Sequence, residues 1–173
     1  SRGSEVELML TPTLQAAQGF AEALPVSTRS VRVVIPCLNE ARYAQVAPIA
    51  EKFGHLNPCL YPGDARSPLV ACDLALVKSG TSTLEAMLLR RPMVVTYRLG
   101  YWTFLIANSL LKTPFIAVPN ILAGRMLVPE LVQKAATPDA MCEALGREFD
   151  TAQANTEQPV SYTHLRAHET DYY

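Results

Sequence analysis

The sequence predicts an α/β domain built on a parallel sheet with helices on both faces. Three observations carry that prediction. Short apolar or β-branched runs alternate with stretches of helical spacing; turn-forming residues close each run; and polar stretches gather where the predicted strands end. In doubly wound sheets of this kind ligands sit outside the carboxyl ends of the strands, so the same polar stretches predict where a nucleotide would bind. The chain has 173 residues, enough for one sizeable core and, as a prior, one domain. Its 49% hydrophobic and 18% charged residues place it among globular rather than disordered chains.

Residues Glu5 to Leu24 carry Leu10, Leu14, Ala17, Ala21 and Leu24 at helical spacing, with Pro12 near a helix start or at a kink. Val31 to Pro36 is a compact β-branched run and reads as a buried strand. Ala41 to Phe53 reads as helix interrupted by Pro48, and the prolines and glycine within Asn57 to Asp64 leave room for a very short strand around Leu60 and Tyr61. A helical turn over Ser67 to Ala71 leads into a strand that starts at Asp73. A helix at Ser82 to Leu89 and a strand at Pro92 to Tyr97 come next, then a helix at Tyr101 to Leu111. The pattern closes with a brief strand at Phe115 to Val118 and a helix near Met126 to Lys134.

The most informative stretch is Asp73 to Glu85. Its apolar run stops at Ser79-Gly80-Thr81, and helical spacing begins at once. Gly80 allows a positive φ and a close approach by a ligand, because it has no Cβ. The first amides of the following helix lack partners and sit at the positive end of its dipole, which suits a phosphate. Thr81 and Glu85 are four apart and share a helix face, so Glu85 can receive ribose hydroxyls while the turn holds a diphosphate. A plain capping box made by Ser82 and Glu85 accounts for the same residues without a ligand. Further polar stretches at Tyr97-Arg98, at Pro119-Asn120 and at Gly124-Arg125 fall at the ends of other predicted strands.

The formal net charge of −1 gives no surplus of cations for a phosphate backbone, so nucleic acid is not an expected partner. Cys37, Cys59, Cys72 and Cys142 are scattered without a C-x-x-C pair, which predicts neither a zinc site nor a disulfide framework and suits a reducing, cytoplasmic setting. No apolar run approaches the roughly 20 residues that cross a bilayer. The chain opens on Ser1-Arg2-Gly3-Ser4 rather than Met and reads as a piece of a longer protein.

Three blocks carry a resemblance to a known family. SGTSTLEAMLLRRPMVVTYR (Ser79 to Arg98), LLKTP (Leu110 to Pro114) and PNILAGRMLVPELVQ (Pro119 to Gln133), in this order and spacing, resemble the carboxyl-terminal half of lipid-A-disaccharide synthase. The opening Ser1 to Val6 is similar to the end of that family's L-P-G-S-R-x-x-E-[IV] segment. Coverage runs from Ser1 to about Phe149 and is weakest between Pro25 and Ser67.

The resemblance implies one Rossmann-like half of a GT-B glycosyltransferase, the half that holds the UDP-sugar donor. It implies an activity in lipid A biosynthesis: inverting transfer of 2,3-diacylglucosamine from UDP to 2,3-diacylglucosamine 1-phosphate (lipid X), forming a β-1,6 disaccharide 1-phosphate and UDP. It implies no cofactor and no bound metal, in keeping with His55 as the only histidine of the family-like region. Charge on the leaving diphosphate would be met by amides, a helix end and arginine.

Carried over by position, Arg2 would contact the diphosphate, the competing reading being a surface arginine near a chain end. Ser79, Gly80 and Thr81 would form the phosphate turn and Glu85 would bind the ribose. Asn120 would reach donor hydroxyls or diphosphate, or merely close a turn after Pro119. Arg125 would clamp a phosphate or cap a helix, and Glu130 and Gln133 would project from one helix face toward the donor. Tyr97 and Arg98 would line the cleft, with an interior strand position as the other reading of Tyr97.

Tyr101 to Ile106 is aromatic and apolar, which fits core packing or contact with the inner face of the inner membrane by a peripheral enzyme. The resemblance places the acceptor-binding domain and the general base outside this chain, so no catalytic residue is assigned, and the oligomeric state stays open. Residues 1–150 are therefore expected to form the donor domain and 151–173 a disordered tail. From about Val160 the tail does not resemble the family, and its His164, His168 and Glu169 are excluded as a metal site. Two other functions fit the turn: another UDP-GlcNAc-using GT-B enzyme, or a nucleotide-binding module without chemistry.

Overall fold

A computed structural model describes residues 3–25, 31–98 and 114–157. The expected helix at Tyr101 to Leu111, Arg2, and the tail from 158 onward lie outside them. The first helix, α1 (Gly3–Ala23), accommodates Pro12 in its interior. Strand β1 (Val34–Cys37) follows, then α2 (Glu40–Ala50), whose first turn is capped by the Asn39 side chain accepting from the Arg42 amide at 2.9 Å. A 3₁₀ segment (Glu51–Leu56), β2 (Cys59–Pro62) and α3 (Arg66–Ala71) lead into β3 (Ala75–Lys78). The chain continues through α4 (Thr81–Leu88), β4 (Met93–Tyr97), α5 (Val118–Ala123), β5 (Glu130–Val132), a 3₁₀ turn (Gln133–Ala135) and α6 (Pro138–Glu157).

Among the described residues all strand pairs are parallel and helices cover both faces, as the alternation predicts. Along β4 the side chains alternate between two cores. Met93 and Val95 pack with Ala75, Val77, Leu69 of α3 and Ala86 of α4, whereas Val94 packs with Ala16 and Phe20 of α1 and Met141, Ala144 and Leu145 of α6. Phe20 and Phe149 meet edge to face with centroids 5.6 Å apart.

The strands divide into two sheets, β1-β2 and β3-β4-β5, rather than one. Helix α1 bridges them: Ala16 and Phe20 belong to the core of the second, while Val6 and Leu14 pack with residues of the first and its helices.

Two expected elements change type, and one helix has no counterpart among the expected elements. Phe115 to Ala117 is irregular rather than a strand, and a helix begins at Val118. Pro119 at the helix start and a carboxylate that takes the Ile116 and Ala117 amides leave no ladder to form. Met126 to Lys134 is not a helix. Leu127, Val128, Leu131 and Val132 mimic helical spacing, but Glu130 to Val132 pair with Val95 to Tyr97 and become a strand. Helix α6 is not among the expected elements, although Met141, Ala144, Leu145 and Phe149 stand at its inward positions. It runs to Glu157, so residues 151–157 of the expected tail are helical and the boundary at 150 falls inside an element.

Burial raises the pKa of the Glu148 carboxyl on α6, against a smaller opposing pull from Arg147. The folded chain therefore holds that proton more tightly than the unfolded chain, and stability falls as pH rises above the ordinary glutamate value. Glu148→Gln is expected to be more stable than the parent near neutrality, by less than about 1 kcal/mol because the group is partly solvated. Urea unfolding should show the gap closing as pH drops below the unfolded glutamate pKa.

Candidate functional site

Strand β3 ends at Lys78, and the next two residues make the turn. The Ser79 amide donates to the Thr96 carbonyl at 3.1 Å, which ties the turn to the end of β4. Gly80 is the N-cap of α4, with φ 149° and ψ −159°. This conformation is the mirror image of an extended strand and is almost exclusive to glycine. A Cβ placed there would meet nothing within 4 Å among the described residues, so Gly80 borders open space there.

Among the described residues no side chain caps α4. The helix starts at Thr81, which puts Ser82 inside it and removes the capping box from consideration. Thr83 turns inward instead, its hydroxyl donating to the Gly80 carbonyl at 2.7 Å. The Thr83 amide also donates to the Gly80 carbonyl, at 3.1 Å, which leaves the Thr81 and Ser82 amides without a side-chain cap at the positive end of the helix dipole. Thr81 and Glu85 are both exposed on that helix, four residues apart. The arrangement can hold an anion at the turn and hydrogen-bond hydroxyls one helical turn further along.

A second segment closes on the first through a chain of hydrogen bonds. The Ser79 hydroxyl donates to the Ile116 carbonyl at 2.9 Å. Glu130, on β5, accepts from the Ile116 amide at 2.9 Å, the Ala117 amide at 2.8 Å and Asn120 Nδ2 at 2.7 Å. Asn120 is fully buried; Nδ2 also donates to the Val128 carbonyl at 2.8 Å, and Oδ1 accepts from the amides of Leu127 at 2.6 Å and Val128 at 2.9 Å. Both donors and both lone pairs of this amide are therefore used within the protein. Of the two readings of Asn120, the geometry matches turn closure. Glu130 and Gln133 do not share a helix face: Glu130 is in the strand, and Gln133 opens the 3₁₀ turn at a left-handed φ of 53°.

Tyr97 ends β4, half-buried, with Lys78 Nζ 5.4 Å from its ring centroid. Arg98 Nη2 donates to the Ala136 carbonyl at 2.6 Å, and its Nε is buried without a partner among the described residues. Arg125 is exposed just after Gly124, the left-handed C-cap of α5 at φ 64°. Two neighbouring residues escaped the sequence reading. Lys78 stands beside the turn, and Thr96 is buried near the carboxyl end of the central strand, its hydroxyl without a partner among the described residues. A polar residue closing each of two adjacent apolar strands was the available signal. Among the described residues no group of three or more His, Cys, Asp or Glu side chains could hold a metal ion.

Residues 1–171 match the family model described as lipid-A-disaccharide synthetase. The chain belongs to that family. The match runs through the residues from about 160 that the sequence reading set apart. Among curated members, the chain is similar to lipid-A-disaccharide synthase of Pseudomonas entomophila (strain L48), 48% identical over 145 residues, covering 84% of this chain and 37% of the relative. The protein of the same name from Pseudomonas putida (strain W619) is 44% identical over 158 residues, 91% of this chain and 41% of the relative. That from Saccharophagus degradans is 38% identical over 160 residues, 92% of this chain and 40% of the relative. The chain thus spans about two fifths of the length of these lipid-A-disaccharide synthases.

Proposed function

We propose that the chain forms the donor-binding half of a lipid A disaccharide glycosyltransferase. The whole enzyme transfers 2,3-diacylglucosamine from UDP to 2,3-diacylglucosamine 1-phosphate, with inversion at the transferred carbon. The observation that carries this reading is the uncapped start of α4 behind Gly80, open to solvent, with Glu85 exposed one turn along. The turn amides take the diphosphate and Glu85 takes the ribose. Arg125 and Arg2 supply cationic contacts to the diphosphate, and Tyr97, Arg98 and Gln133 complete the wall. Asn120 acts by shaping the loop. The acceptor and its general base belong to the rest of the longer protein, so this chain alone binds the donor and forms no disaccharide.

Leu122 and Met126 are 70% and 62% exposed, on and just after α5, which packs against α4; apolar surface beside the turn suits an acylated ligand. No helix of the described residues is long and apolar enough to cross a membrane. The expected setting is the cytoplasmic face of the inner membrane, with peripheral attachment.

Calorimetry with UDP, ADP and CDP tests this reading. UDP is expected to bind in preference to the other two, and Thr81→Ala and Glu85→Ala each to weaken it by on the order of 1 kcal/mol, about fivefold. Equal affinity for all three nucleotides, or two variants that bind like the parent, would reject it.

A further inference from the structure

Glu130 carries more of the local architecture than its place on a short edge strand suggests. Its backbone is registered against Val95 in the central strand β4, so its position is set by the sheet. Its carboxylate accepts three N–H donors from the segment that opens α5, and the Ile116 carbonyl there accepts the Ser79 hydroxyl. A continuous path therefore runs from β5 through Glu130 and Ile116 to Ser79, one residue before Gly80. Helix α5 has no side-chain cap of its own, so the carboxylate is what satisfies the backbone at its entry. A carboxylate turned toward a diphosphate would meet like charge; one filled by three donors is spent on holding the loop.

We propose that Glu130 is a positioning residue of the nucleotide site rather than a ligand. It locks residues 116–120 against the Ser79–Thr81 turn, so that the two walls of the site are held as one before ligand arrives. The functional half of this proposal rests on the nucleotide reading above; the structural half does not.

Glu130→Gln provides the test, because an amide has one accepting oxygen and turns an NH₂ toward donors that it cannot satisfy. In the 173-residue chain without ligand, hydrogen exchange at the Ile116 and Ala117 amides is expected to speed up about tenfold or more. UDP should then bind about tenfold more weakly. Combined with Ser79→Ala, which cuts the same path, the loss should fall short of the product of the single losses.

Unchanged exchange at those amides in a folded variant would overturn the proposal. So would a loosened loop that binds UDP as tightly as the parent, or fully multiplicative losses. If Glu130→Gln does not fold, Glu130→Asp keeps the charge but is too short to reach all three donors, and the same outcomes apply. A parent chain that binds no UDP would sink the nucleotide reading and with it the claim of a site, while the exchange measurement would still decide whether Glu130 holds the loop.

Discussion

Asn120→Ala is expected to destabilise the chain by about 3 kcal/mol or more. The substitution removes a fully buried amide, orphans the Leu127 and Val128 amides and the Val128 carbonyl, and takes one donor away from Glu130. Each orphaned group costs about 1–3 kcal/mol when water cannot reach it; residues 127 and 128 are only half-buried, which returns part of that sum. For a domain of this size the change corresponds to a fall in Tm of roughly 6–12 °C, readable by thermal or urea unfolding.

Asn120→Asp sharpens the prediction. It keeps the shape but turns an oxygen toward the Val128 carbonyl and Glu130 Oε1, where the native amide donates. The two carboxylates then compete for one proton, so a folded-state pKa is raised and the deficit is greatest at high pH, easing as pH falls through that raised value. If Asn120→Ala unfolded at the parent temperature, the loop would not depend on this side chain, and its burial would be incidental.

Local chemistry makes one half of the candidate site legible from sequence, and long-range pairing hides the other. Ser79-Gly80-Thr81 and Glu85 sit within seven residues, and a strand, a glycine turn and a helix start each leave a signature at that distance. The structure places them at the carboxyl end of β3 as expected. Asn120 and Glu130 are different. What decides between ligand contact and loop closure is which groups lie within 3 Å of Asn120, and those come from residues 127, 128 and 130.

The same limit explains the misread β5. Leu127, Val128, Leu131 and Val132 satisfy a helical period, yet the open edge of β4 takes Glu130 to Val132 as a strand. Glu130 and Gln133 consequently lost the shared face assigned to them. The division into two sheets is likewise a matter of pairing, invisible to periodicity, which reports that strands exist but not which neighbours they find.

Gly80→Ala should do two separable things. At φ 149° and ψ −159° an L-residue is strained by about 1–3 kcal/mol, although the new methyl meets no atom within 4 Å. The cost is conformational rather than a clash. The chain can relieve it only by rotating the peptide, which would move the Gly80 carbonyl away from the Thr83 hydroxyl and amide that both donate to it. The methyl also adds bulk where Gly80 borders open space, the side from which the diphosphate is proposed to approach, so UDP affinity should fall more than tenfold, beyond the loss expected for Thr81→Ala.

D-alanine at position 80, introduced by semisynthesis, separates the two effects. The observed φ and ψ are comfortable for a D-residue, so urea unfolding should return to the parent value, and because its methyl lies along the other Cα–H bond, calorimetry then reports whether UDP approaches that side of the turn as well. Parent-like UDP affinity in both chains would mean that nothing approaches the turn closely. The glycine would then serve the bend of the backbone alone.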